Sequence, residues 1–398
     1  MLSKNASIEF ALSWSSDEAC HRERLFLPRV DFWRDIFPGE MGPGLEAAAA
    51  GDALSADFAP GELLPVRDGQ KVLDIRPDRF QRQYQHLTVE PRQGRYYPRG
   101  MIAGVAGIFP GEYRPFRVLE AGPEHLRVDL NHPLSGYPLS VSARIDEQLP
   151  SRDQHGGACR DIAEALTEKG PGLEALAAEL RTDFFHDYPF ARLDDNIDTV
   201  FYQMPRLVEH VDAVATREIG ALYARLLQPD SRVLDLMSSW TSHLPEELPL
   251  AVSGLGLNEE ELAENPRLED WLIHDLNSDP GLPFRDGDFD AVICANSVEY
   301  LVRPREVLAE VARVLRPGGL AVLVFSERWF PPKVIGLWTE MHPFERMGLV
   351  LESLRSTGEF GDFHTESVRG YLRPDDDKYR GMTSNADPVY AVWARRAG

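Results

Sequence analysis

The chain has 398 residues, of which 43% are hydrophobic and 27% charged, an ordinary globular composition and a length that predicts two domains. A formal charge of −22, with arginines standing singly rather than in basic runs, argues against nucleic acid and against an anionic membrane as partners. No stretch approaches the ~20 apolar residues of a bilayer-spanning helix. Lys4, Glu9 and Asp17 interrupt the apolar N-terminus, so no signal-peptide core is expected there. Cys20, Cys159 and Cys294 are far apart and lack metal-ligand spacing. They read as reduced thiols in a cytoplasmic protein, mostly packed inside, and no metal site is expected.

In chain order, residues 1–150 are rich in Gly and Pro and predict a β-rich half. Ser7–Leu12 alternates as a strand does. The runs 116–119, 126–130 and 139–145 predict three further strands, with turns at Gly122-Pro123 and Pro133-Leu134-Ser135-Gly136. Residues 151–191 change character and predict a helical connector, with helices at 161–168 and 173–180 where Ala, Leu and Glu dominate. From Pro205, placed as a first helical residue, the pattern predicts a helix to about Leu227. Apolar strands then alternate with helical runs. Strands fall at 232–236, 251–255, 271–275, 290–294 and 320–325, helices near 259–264, 304–315 and 344–356. That alternation predicts a parallel sheet covered on both faces. A last strand, Val389–Ala394, is expected antiparallel at the sheet edge.

Short motifs follow one another through this second half. Leu234-Asp235-Leu236 ends the first strand, and Met237-Ser238-Ser239-Trp240-Thr241-Ser242-His243 follows it. Then come Ser253-Gly254-Leu255-Gly256-Leu257-Asn258, Ile273-His274-Asp275-Leu276, Asp288-Phe289-Asp290, and Leu315-Arg316-Pro317-Gly318-Gly319. Their order and spacing resemble a class I S-adenosylmethionine-dependent methyltransferase. The resemblance implies a Rossmann-like α/β fold with a seven-stranded sheet over residues 192–398, and S-adenosyl-L-methionine as cofactor. It places Asp235, Ser238, Ser239 and Trp240 around the methionine part, Asp275 and Leu276 at the adenine, and Asn296 at the cofactor or acceptor. It also marks two departures. The family's three loop glycines are replaced by Met237, Ser239 and Thr241, which predicts a less strained loop or a displaced ligand. The acidic residue that grips the ribose is replaced by Gly256, which leaves Asn258 as the nearest candidate for the diol.

His243, one step beyond the first strand, is the leading candidate base, and a capping or packing role is its alternative. The stretch Phe201–His210 resembles the lid of such enzymes and brings Tyr202, Arg206 and His210 forward. On a helix Arg206 and His210 would share a face. Arg328 and Trp329, after the fifth strand, are expected at the same mouth, and Trp338 and Trp393 in the core.

In the first half, Asp129-Leu130-Asn131-His132-Pro133-Leu134-Ser135-Gly136 before Leu139-Ser140-Val141, with Pro43–Ala48, Gly51-Asp52 and Phe58–Leu63 upstream, resembles an FKBP-type peptidyl-prolyl isomerase of the SlyD-like branch. That implies a smaller β-rich α+β domain over 1–150, with residues 66–115 as its flap insertion. Leu63 or Leu64 stands where the family has an aromatic residue, and Phe32, Trp33 and Phe37 are the candidate cleft aromatics. The resemblances together imply methyl transfer to a small-molecule acceptor. The alternatives are a protein methyltransferase that recruits a polypeptide through the FKBP-like half, and a non-catalytic interaction protein.

Overall fold

Strand β1 (Ser3–Ser15) forms because every second side chain from Ala6 to Trp14 is apolar, and β2 (Ala19–Asp31) pairs antiparallel with it. Ala6, Ile8, Phe10 and Leu12 of β1 are all fully buried on one face. The computed structural model describes residues 3–84, 87–152, 157–167, 176–177, 180–186 and 188–398. The chain divides into two units, Met1–Asp187 with Glu340–Leu349, and Tyr188–Thr339 with Val350–Gly398.

The first unit continues with α1 (Met41–Ala47), which buries Met41 and Leu45, and β3 (Ala53–Phe58). Next come β4 (Val72–Ile75), β5 (Gln83–Tyr84), β6 (Leu87–Thr88), β7 (Tyr96–Pro98), β8 (Pro115–Ala121), β9 (Leu126–Asp129) and β10 (Leu139–Arg152). Strands β2, β1, β10 and β3 lie side by side, all antiparallel. Strands β4, β9, β8 and β7 make a second antiparallel sheet with its own core around Tyr97, Phe116 and Val128. The β-rich reading of this half therefore holds, although the strand after α1 ends at Phe58 instead of starting there.

The connector departs from expectation. Its first helix, α2 (Ile162–Thr167), is present, and Ile162 and Leu166 are fully buried in the core of the larger sheet. Of the expected helix at 173–180, residues 173–175 and 178–179 lie outside the described residues. The remainder is extended, with β11 (Leu176–Ala177) pairing antiparallel with β12 (Leu180–Arg181). Two exposed thiols, Cys20 and Cys159, also overturn the expectation that the cysteines pack inside; only Cys294 does.

The second unit begins with α3 (Asp198–Phe201) and α4 (Ala213–Leu226). Helix α4 starts eight residues later than Pro205 suggests, because Asp212 caps it by accepting from the backbone N–H groups of Val214 (2.9 Å) and Ala215 (3.0 Å). The rest is β13 (Ser231–Ser238), β14 (Leu250–Gly256), α5 (Glu259–Glu264), β15 (Asp270–Ile273), β16 (Phe289–Ala295), α6 (Pro304–Val314), β17 (Leu315–Phe325), α7 (Gly336–Glu340), α8 (Pro343–Arg355), β18 (Phe360–Arg369) and β19 (Val389–Arg396). The first turns of α8 are counted with the first unit.

Seven strands of this unit run in the order β15-β14-β13-β16-β17-β19-β18. The first five are parallel. Strand β19 does not sit at the edge as expected: it lies between β17 and β18, antiparallel to both. Val233, Val252, Ile293 and Val322 of the sheet pack with Ile219, Leu222 and Tyr223 of α4. Strand order reverses between β13 and β16, which opens a crevice beyond their carboxyl ends.

Candidate active site

At that crevice is a cavity with about 1030 Å³ of empty space, its open mouth included. Its wall includes Asp235, Ser238, Ser239, His243, Asn258, Asp275, Leu276, Asn296, Tyr202, Arg206 and His210, all singled out from sequence. Trp240, expected at the methionine part, is not among them. Its indole donates to the Val208 carbonyl at 3.2 Å, and it does not line the cavity.

Strand β13 carries Asp235 to the crevice. The hydroxyls of Ser238 and Ser242 each donate to Asp235 Oδ2 at 2.6 Å. Asn265 then holds Ser242 Oγ at 2.9 Å and the Ser239 carbonyl at 2.8 Å. Burial pushes the Asp235 carboxyl up to about 6, against the two serine hydrogen bonds. Ser238 and Ser239 are thus engaged inside the loop, Ser239 with Glu261 at 2.7 Å.

The loop is not relaxed by its missing glycines. Met237 takes φ +57° and His243 φ +54°, in the left-handed region that costs a side-chain-bearing residue roughly 1–2 kcal/mol. Asn296, after β16, does the same at +52°. Three strained residues on one cavity wall are the kind of clustering seen at binding sites. Burial, and then nearby His210, lower the pKa of His243 to about 4, and its Nδ1 has no hydrogen-bond partner among the described residues. Burial likewise lowers His210 and raises the Tyr202 phenol. All three side chains are therefore neutral at pH 7.

The position expected at the ribose departs further from the sequence reading. Asn258 caps α5, accepting from the Glu261 N–H at 3.0 Å. Its Nδ2 donates to the carbonyls of Tyr202 (2.9 Å) and Gln203 (3.1 Å). Both amide donors are spent on the protein, so Asn258 anchors this segment, and toward a ribose it offers only the second lone pair of its carbonyl oxygen. Gly256 cannot be replaced either, since a Cβ there would sit 2.3 Å from the Ser238 carbonyl oxygen. Asp275 accepts from the Asn277 N–H (3.0 Å) and the Ser278 hydroxyl (2.7 Å). These bonds leave the carboxylate acceptor capacity toward the cavity.

The segment from Ile197 to Val211 closes one side. Arg206 and His210 do not share a helix face, because residues 205–212 are not helical. The Arg206 N–H is drawn instead to Glu261 Oε1 at 2.6 Å. Asp198 anchors the start of the segment. Arg192 (2.9 Å) and the fully buried Lys333 (3.0 Å) pair with it, and Asn277 donates to it at 2.8 Å. Burial alone would raise the Asp198 carboxyl, but these partners hold it below its ordinary value. Phe330, not Arg328 or Trp329, reaches the cavity after β17. It meets Tyr202, His210 and Tyr300 edge-on or stacked, with centroids 5.6–6.3 Å apart. Arg328 lines a neighbouring recess with Tyr379 and Arg373. Trp338 is buried, and Trp393 is partly buried against the core. The motifs do not single out Glu261, although Asn258 followed by Glu three residues later has the spacing of a capping box.

Residues 240–323, about a fifth of the chain, match the family described as methyltransferase domain. The ubiquinone/menaquinone biosynthesis C-methyltransferase UbiE of Ruegeria sp. (strain TM1040) is 32% identical over 123 residues, 29% of this chain and 44% of that protein. Norajmaline N-methyltransferase of Rauvolfia serpentina is 24% identical over 160 residues, 38% of this chain and 53% of that protein. The chain thus spans about half the length of these curated relatives. A SAM-dependent methyltransferase structure from Aquifex aeolicus aligns with TM-score 0.32 and 18% identity, over 50% of this chain and 97% of that one. The family match over 240–323 thus falls inside the sheet of this strand order, and this part of the second unit is similar to a methyltransferase domain.

Proposed function

We propose that the second unit transfers a methyl group from S-adenosylmethionine to a small-molecule acceptor. The cavity at the strand ends carries this reading, because its wall holds buried polar atoms of His243 and Asn296 with no partner among the described residues. Such groups cost about 1–3 kcal/mol each until a ligand meets them. The residues fit the cofactor at two of its three parts. Asp275 and Leu276 suit the adenine. Asp235, buried with two serine donors and a raised pKa, suits a ligand that brings positive charge. At the ribose, Gly256 and Asn258 offer no free carboxylate. When bound, S-adenosylmethionine supplies an activated methyl group on a sulfonium. The chain's own part is orientation and exclusion of water. Tyr202, Tyr300 and Phe330 wall the mouth with rings. Neutral His243 offers the acceptor a hydrogen bond, and its low pKa makes it a weak proton acceptor at pH 7. That favours an acceptor needing little help to lose its proton. The small-molecule class is supported by the relatives, a ubiquinone/menaquinone biosynthesis C-methyltransferase and a norajmaline N-methyltransferase. Calorimetric titration of the full chain with S-adenosylhomocysteine should show saturable one-to-one binding; no heat at millimolar ligand would overturn the reading.

A second reading concerns the first unit, which we take as FKBP-like with an accessory role that includes holding a polypeptide. It is supported by α1 packed on the β2-β1-β10-β3 sheet and by a separate sheet built from residues 72–129. Leu63 and Leu64 stand in place of the expected aromatic and pack on the core. The full chain should leave the isomerisation rate of a prolyl peptide at background. A clear acceleration would make the unit an active isomerase.

A further inference from the structure

Arg206 lines the cavity, and methyl transfer as described leaves it without a role. Its guanidinium sits among three rings, with Cζ 4.7 Å from the centroid of Phe201, 5.5 Å from Tyr202 and 5.1 Å from Phe330. Nη2 donates to the Phe201 carbonyl at 3.0 Å. Nη1 is buried and has no hydrogen-bond partner among the described residues. No carboxylate lies within ion-pair distance of this guanidinium among them either. Glu261, which meets the Arg206 backbone, spends its oxygens on that N–H and on the Ser239 hydroxyl. The chain has 64 acidic residues against 42 basic ones, so a cavity-facing arginine left without one is not explained by a shortage of partners. A desolvated guanidinium is held at a cost unless something of opposite charge completes it. Its planar fork matches a carboxylate in two parallel hydrogen bonds, and the aromatic walls strengthen that pairing by keeping water out.

We propose that Arg206 is the anion-reading residue of the cavity and pairs with a carboxylate of the bound ligand. Two ligands can bring that group: the amino-acid end of the cofactor, or the acceptor. The proposal rests on the cofactor reading only in its choice of nucleoside probes.

The test uses the full chain as wild type, R206M and R206K. Methionine keeps contact with the rings but carries no charge, and lysine restores charge without the fork. Each protein is titrated with S-adenosylhomocysteine, which has the carboxylate, and with methylthioadenosine, which lacks it. A cofactor partner predicts that R206M binds S-adenosylhomocysteine about 10- to 100-fold more weakly. R206K falls between, and methylthioadenosine affinity does not change. An acceptor partner predicts unchanged affinity for both nucleosides. In that case benzoate should raise the melting temperature of the S-adenosylhomocysteine-loaded wild type and fail to do so in R206M. Equal loss of both nucleosides in R206M, or the absence of any effect that depends on Arg206, would overturn the proposal. If the wild type binds neither nucleoside, the cofactor reading fails on its own. Benzoate on the ligand-free protein then decides Arg206: stabilisation lost in R206M supports it, and no difference overturns it.

Discussion

His243 and Asp235 are displaced from their ordinary ranges in opposite directions by one cause, burial beside a crevice. His243 falls from 6.5 to about 4 and Asp235 rises from 3.8 to about 6. For the histidine the unfolded chain binds the proton first. Its contribution to stability is present above pH 6.5 and is lost as pH falls toward 4. For the aspartate the contribution is full below about 4 and is lost as pH rises through 6. Between these limits the two oppose each other. His243→Gln removes only the first, so the variant should lose less stability than wild type on going from pH 7 to 4.5, by an amount on the order of 2 kcal/mol. Melting curves across that range would show it, and parallel pH profiles would refute it. In the intact protein the imidazole resonances of His243 should stay in the neutral position down to about pH 5.

The elements show why some of the site is legible in the sequence and some is not. Strand ends follow from apolar runs, so the sequence alone puts Asp235, Asp275 and Asn296 at the crevice. It does not assign Asn258, because the same amide serves a helix cap or a ribose, and only the course of residues 202–203 decides between them. The placing of Arg206 and His210 on one helix fails for a related reason. Pro205 is a good first helical residue, but Asp212 caps better, and the Glu261 carboxylate draws the Arg206 backbone into a non-helical path. Strand β18 has no sequence signal, because residues 360–369 mix polar and apolar positions without a clear period. Asn258 therefore joins α5 to the 197–211 segment. Asn258→Ala should cost about 1–2 kcal/mol, the usual penalty for losing a cap. It should also speed amide hydrogen exchange in residues 198–211 more than in β13. Uniform exchange throughout the second unit would contradict the anchoring role.

At the level of the whole chain, composition separates a β-rich half from an alternating one, but not how far the first extends. Helix α2 lies in the stretch that reads as a connector, yet Ile162 and Leu166 belong to the core of the first unit. Segment 340–349 belongs to it as well, through the buried pair of Arg95 and Glu345 at 3.0 Å. These features have no local signature, since both depend on contacts distant in sequence. A fragment of residues 1–150 gives up the burial of two aliphatic side chains, each worth roughly 2–5 kcal/mol by analogy with truncation in a core. It should melt well below a fragment of residues 1–187, by circular dichroism. Equal melting temperatures would show that α2 adds nothing to that core.

Gly256 carries a consequence for how this lineage can change. Glycine to aspartate or glutamate is a single-base step, so an acidic residue at this position looks easy to acquire. The Ser238 carbonyl, 2.3 Å from where any Cβ would be, closes that route: the first mutation would have to be preceded by a shift of the β13 loop that is neutral by itself. Variants with new nucleotide preferences should then be sought at Leu257 or in the loop, where a side chain can be exchanged without first moving a backbone.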